Sequence, residues 1–254
     1  MAAPLVAVAH GSRDPRSAAT IHALLDVVRE LRPDLDVRAA FLDLSAPRLG
    51  DVLSAVHGDG HDTAVVVPLL LGRAFHARVD VPAAVAETQR RHPLLQVQVT
   101  DVLGPDPRLE AAAWRRLLEA GADPDDPNLG VLVAGAGSSH APANQLVADV
   151  AERWQAKTAW AGAAATFASA AEPAVPAAIE RLRARGARRI AVASWFLAPG
   201  RLPDRITDLT HDHAQNPLIA TPMANAHEVA DLILTRYTET LATTQTPHRL
   251  PAVL

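Results

Sequence analysis

A chain of 254 residues can bury a real hydrophobic core, either as one large domain or as two smaller ones. Its net charge of -4 and pI near 6.2 give no electrostatic ground for binding nucleic acid or an anionic membrane surface, so an anionic ligand would need local arginines. With no cysteine in the chain, disulfides and thiolate metal sites are excluded, and any metal must be met by His, Asp or Glu.

Leu5 to Ala9 is a short, wholly apolar strand that delivers His10 at its end and breaks at Gly11. Ser17 to Leu31 follows with helical period, its apolar stripe running through Ile21, Leu24, Leu25 and Val28, and Ser12 is expected to cap it. A second strand, Val37 to Phe41, is followed by Asp43, and Pro47 to His57 reads as a helix. The third strand, Ala64 to Leu71, leads into "GRAFHARVD", which carries Arg73, His76 and Arg78. Helices over Val81 to Arg91 and Pro107 to Glu119 flank a strand over Val97 to Val102. After the Pro-, Asp- and Gly-rich stretch Gly121 to Gly130, which has linker composition, strands recur near Gly130 to Ala134, Thr158 to Thr166, Ile190 to Phe196 and Leu218 to Pro222. A last helix spans about His227 to Leu241, with Leu232, Ile233 and Tyr237 in the core, and residues 244–254 read as a frayed tail. No signal-like leader and no apolar run of about 18 residues is present, so a cytoplasmic protein with no membrane contact is expected.

The two halves repeat. An offset of 126 lays Gly137 on Gly11, and the same shift carries Phe41 onto Phe167, Pro47 onto Pro173 and Gly60 onto Gly186. Near-continuous apolar strands alternating with helices indicate parallel sheets covered on both faces. The expected architecture is therefore α/β, with two similar doubly wound parallel-sheet lobes over 1–122 and 123–243. In open parallel sheets ligands bind beyond the carboxyl ends of the strands. That rule brings His10, Asp43 and His76 to one rim, where two imidazoles and a carboxylate suit a borderline divalent ion. The bland readings are a strand-end histidine bonded to a backbone carbonyl, a solvated loop histidine, and a helix-capping aspartate. The second half carries Ala136 and Leu202 at the positions of His10 and His76, so one lobe alone carries this chemistry.

"VAHGSRDP", "FLDLSAP" and "VVVPLLLGRAFHARVDVP" together resemble the class II tetrapyrrole chelatases, the sirohydrochlorin ferrochelatase and anaerobic cobaltochelatase group, in its two-lobed long form. The resemblance implies insertion of Fe²⁺ or Co²⁺, with Ni²⁺ also compatible, into a reduced tetrapyrrole for sirohaem or cobalamin. It implies no permanently bound cofactor, the metal being a substrate. The family's paired histidines fall on His10 and His76, as metal ligands and proton acceptors, and Asp43 falls where many members carry a glutamate. The substrate's peripheral carboxylates direct attention to Ser12, Arg13, Arg48, Arg73, Arg78, Arg201 and Arg205, and to the backbone N–H groups near Gly135 and Gly137. Because one chain holds both lobes, a monomer is expected.

"GAGSSHA", Gly135 to Ala141, fails as a dinucleotide fingerprint because His140 stands where Gly or Ala is needed. No G-x-S-x-G elbow supports a hydrolase. His211 and His213 read as solvated, and His57 and His61 as part of an exposed turn; His22, His92, His140, His227 and His248 have no evident partner. Trp195 could face the macrocycle or lie beneath a helix. Two functions remain open: a chelatase, or a non-catalytic protein that binds and delivers tetrapyrrole or metal.

Overall fold

The computed structural model describes residues 2–72 and 79–245. The calls on Arg73, His76, Arg78, His248 and the end of the tail fall outside the described residues. Strands β1 (Leu5–Ala9), β2 (Val37–Phe41), β3 (Thr63–Pro68) and β4 (Gln96–Val99) form one parallel sheet in the order β2-β1-β3-β4. Helices α1 (Pro15–Leu31), α2 (Leu49–Gly58), α3 (Val81–Arg91) and α4 (Pro107–Glu119) alternate with them. The second sheet repeats that order as β6-β5-β7-β8, from β5 (Leu129–Gly135), β6 (Gly162–Phe167), β7 (Arg189–Ser194) and β8 (Leu218–Ile219). Its helices are α5 (Ala141–Gln155), α6 (Val175–Ala184), α7 (Arg201–His213) and α8 (His227–Gln245). None of the described helices is long and apolar enough to cross a membrane.

Helix ends follow local chemistry. Asp14, not Ser12, caps α1: its carboxylate accepts from the Arg16 N–H at 2.9 Å, and Pro15 occupies the first turn, where a missing N–H is harmless. Asp106 and Pro107 repeat the device at α4. Helix α2 begins at Leu49, later than the expected Pro47, because the Pro47 carbonyl is taken by the Phe41 N–H at 2.9 Å and Arg48 is still extended. Strand β3 stops at Pro68, short of Leu71, since proline cannot donate to the ladder. Strand β6 begins at Gly162 rather than Thr158, because the preceding backbone is spent on the joint: Ala159 N–H bonds Pro124 O and Ala161 N–H bonds Leu129 O, both at 2.9 Å.

The repeat extends to backbone detail. Asp43 N–H donates to His10 O at 2.9 Å, and Ser169 N–H donates to Ala136 O at 3.0 Å. Gly11 and Gly137 have φ of 92° and 83°, and a Cβ on either would meet the carbonyl oxygen of residue 43 or 169 at 1.7 or 1.8 Å. Leu44 and Ala170 both sit in left-handed backbone, at 62° and 57°.

Each sheet has one face covered locally, by α2 and α3 in the first and by α6 and α7 in the second. The opposite faces merge into one continuous core that contains residues of both sheets, α1, α5, α4 and α8. Here the last helices are exchanged: α4 leaves the first sheet to pack on β7, and α8 leaves the second to pack on β3. Complete burial of Leu5, Leu109, Leu129, Val131, Leu232 and Ile233 ties the halves together, each such side chain contributing about 1.5–3 kcal/mol. Trp114, Trp154 and Trp160 stack at the same joint with centroids 5.0 to 6.4 Å apart.

Candidate active site

Strands β1 and β3 are neighbours, but their onward connections run to opposite sides, to β2 and to β4. The crevice beyond their carboxyl ends is thus the topological switch point of the first sheet. His10 emerges there half-buried, its Nδ1 3.1 Å from Gly11 O. Together with Phe41, Asp43, Arg48 and Asp80 it lines a cavity of about 530 Å³.

Two loops lock this rim. Besides the Asp43 N–H to His10 O bond, the Ser12 N–H donates to Ser45 Oγ at 3.0 Å, and Ser45 Oγ–H returns to Ser12 O at 2.9 Å. Ser12 Oγ accepts from Asp14 N–H at 3.0 Å and so shapes the turn before α1. Asp43 does not cap a helix; Arg48 Nη1 donates to its carboxylate at 2.8 Å and to Leu42 O at 2.7 Å. That guanidinium, then the Leu44 backbone N–H and the nearby His10, hold the Asp43 carboxyl below its ordinary range, so it is an anion at neutral pH. The exposed Arg48 is therefore already engaged by Asp43.

Arg13 is exposed on the same rim, while Arg201 and Arg205 are exposed on the first turns of α7. Arg16, which the sequence did not flag, joins the halves: its Nη2 lies 2.5 Å from Asp14 and 2.5 Å from Asp204 on α7. Only the fold brings these residues, 188 positions apart, into contact. The N–H of Ser138, expected beside Gly137 as an anion donor, is occupied by Asn144 Oδ1 at 2.9 Å. Among the described residues no group of three His, Asp or Glu gathers to hold a metal.

Other histidines settle outside this rim. His57 is half-buried against His92, centroids 5.0 Å apart, rather than in an exposed turn, because the end of α2 packs beside the end of α3. His92 in turn contacts Ser54 Oγ at 3.1 Å. His61 is also half-buried, 3.9 Å from Asp36. His211 and His213 are exposed on the last turn of α7, as expected. Trp195 is half-buried and lines an interlobe cavity of about 290 Å³ with Leu71, Asp106, Glu110 and Arg153.

A duplicated doubly wound scaffold, with His10 and Asp43 on one rim and Ala136 and Ser169 at the matching positions of the other, has the architecture of the chelatases. The chain belongs to the CbiX family, whose model matches residues 4–120 and again 130–240. It is 24% identical to a sirohydrochlorin cobaltochelatase of Priestia megaterium over 81% of this chain and 68% of that one. To a sirohydrochlorin ferrochelatase of the same organism it is 26% identical, over 79% and 75%. In fold it is similar to SirB from Bacillus subtilis with Fe³⁺, with a TM-score of 0.76 at 22% identity over 96% of this chain and 97% of that one.

Proposed function

We propose that the chain is a sirohydrochlorin chelatase that inserts Fe²⁺ or Co²⁺ into the macrocycle, using the first lobe's rim. The observation that carries this reading is the placement of His10, half-buried at the switch point beside the ionised Asp43, on a scaffold whose duplicate has Ala136 and Ser169 at the matching positions. As the ion enters, the ring sheds two pyrrolic N–H protons, and the ion sheds water. Imidazole suits both tasks near neutral pH, as a loose ligand to the incoming ion and as a proton acceptor. We assign these roles to His10 and His76, with Asp43 adding negative charge that attracts the cation. Two histidines and one carboxylate leave coordination positions open for pyrrole nitrogens, whereas a closed four-ligand cage would retain the metal. Arg13, Arg73, Arg78, Arg201 and Arg205 supply cations for the peripheral carboxylates, and Ser12 contributes by shaping the rim. The shared core makes a single chain the proposed working unit.

Anaerobic absorbance spectroscopy with sirohydrochlorin and Fe²⁺ or Co²⁺ tests this. Insertion should exceed the uncatalysed rate, and His10→Ala and His76→Ala should each lower it about 100-fold or more while thermal unfolding stays near that of the parent protein. A spectral shift on binding with insertion at background rate would make the protein a carrier, and near-normal insertion in both variants would overturn the residue assignment.

A further inference from the structure

We infer that Leu44 is a substrate-positioning residue whose side chain packs against the apolar face of the tetrapyrrole. The inference rests on the chelatase reading above. A leucine has no local reason to occupy this place. Its φ of 62° lies in the left-handed region, where a Cβ is crowded, and bulky residues there are outliers. The Ser45 N–H donates to Asp43 O at 2.7 Å across it, which with that φ closes a three-residue turn of the rare, strained hand. The side chain is nonetheless 43% exposed and outside the buried core, so packing within the chain does not offset the backbone penalty.

Strain of this kind persists where the surroundings over-determine it, and it clusters at ligand clamps and active sites. Here the surroundings are the rim itself. Asp43 bonds the His10 carbonyl, Ser45 is tied to Ser12 in both directions, and the Leu44 N–H supports the Asp43 carboxylate. Leu44 is thus held on a rigid platform, one residue from the anion whose backbone N–H bonds the His10 carbonyl. Three other exposed apolar side chains, Val79, Val99 and Leu202, also stand at the carboxyl edges of the sheets, just before α3, at the end of β4 and on the first turn of α7. Leu31, Leu94 and Leu118 stand at or beyond the ends of α1, α3 and α4, at the opposite edges. A macrocycle with charged periphery and apolar faces matches such a rim: cations meet its edge, and an aliphatic side chain meets its face.

The duplication supplies the control. Ala170 occupies the same backbone position in the second lobe, at φ 57°, exposed but without a comparable side chain. Leu44→Gly and Ala170→Gly both place glycine where left-handed backbone is unstrained, so neither should lower Tm, and each should raise it by about 2 °C. Only Leu44→Gly should weaken substrate binding. Covering the exposed 43% of a leucine predicts a rise of about three- to tenfold in KM for sirohydrochlorin, and the same rise in Kd from metal-free absorbance titration, with kcat changed less than twofold. Leu44→Met should restore most of the lost affinity. If the parent protein inserts metal and Leu44→Gly binds sirohydrochlorin as the parent does, the inference is overturned while the chelatase reading stands; if the parent inserts metal only at background rate, that reading fails first. A fall in kcat with unchanged KM would also overturn it, since that would make Leu44 a spacer for Asp43 rather than a contact to substrate.

Discussion

Gly11→Ala is the most informative single perturbation of the rim, because the duplication provides its twin in Gly137→Ala. Alanine at φ 92° carries a backbone penalty of roughly 1–2 kcal/mol. Its Cβ would also stand 1.7 Å from Asp43 O, where ordinary contact begins near 3.4 Å, so the two loops must part by well over an ångström. That breaks the Asp43 N–H to His10 O bond and the two Ser12–Ser45 bonds, each with a net value of about 0.5–1.5 kcal/mol. Together these give a loss of about 2.5–6.5 kcal/mol, or a fall in Tm on the order of 10 °C for a chain of this size. Gly137→Ala meets Ser169 O at 1.8 Å with φ 83° and should destabilise by a similar amount. The variants should differ in chemistry. At a temperature well below both transitions, Gly11→Ala displaces His10 and Asp43 and should lose most of its insertion rate, whereas Gly137→Ala should keep kcat near the parent value. Calorimetry paired with the absorbance assay decides the matter. Equal loss of kcat in the two variants at matched folded fraction would refute a one-sided site, and an unchanged Tm would refute the close approach of the loops.

The joint between the halves should be acid-sensitive. Asp106 is held below the ordinary carboxylate range by its Arg108 hydrogen bonds, and Glu228 is held low by Arg115 across the joint at 2.9 Å. Because both native values are depressed, their stabilisation is fully present above about pH 4.5 and is lost as pH falls through the lowered values. Tm measured between pH 7 and pH 3 should therefore fall more steeply in the parent than in Glu228→Gln, and parallel curves would refute the assignment. Residues 1–122 expressed alone would lack α8 over β3 and leave α4 without β7. Sedimentation should show this fragment self-associating, with α4 of one copy taking the place of α8 on the other; a stable monomer would show that the exchange is dispensable.

The sequence foretold elements whose ends are set by neighbouring residues. The bounds of α3 and α4, Val81–Arg91 and Pro107–Glu119, stand as expected, and α4 carries its own start signal in the Asp106–Pro107 pair. Elements whose ends are set by distant partners shifted instead. Pro47 and Thr158 looked like starts, but Phe41 and the lobe joint claim that backbone. The parallel-sheet inference placed His10 and Asp43 on one rim because alternation and strand order are local rules applied repeatedly. It could not show that Arg48 already engages Asp43, or that Arg16 reaches Asp204, since side-chain pairing depends on how loops fold back. Periodicity likewise gives the apolar stripes of α4 and α8 without naming the sheet that each will cover.

That exchange explains how a duplicated chain can keep a lobe without its chemistry. Helix α8 supplies much of the cover for β3, the strand beside β1 at the switch point, and its Tyr237 hydroxyl donates to Ala3 O at 2.6 Å just before β1 begins. Arg236 reaches the carbonyls of Val102 and Leu103 at 3.1 and 3.3 Å, holding the segment that follows β4. Having Ala136 and Ser169 where the first rim has His10 and Asp43 leaves all of these contacts intact, because they lie on the joint and not at the carboxyl edge. Loss of α8, by contrast, would uncover Val65 and Val67, both essentially buried, and release the strand that borders His10. The second lobe therefore contributes through packing alone, and substitutions at its apolar positions on the joint should cost more stability than substitutions at its carboxyl-edge rim.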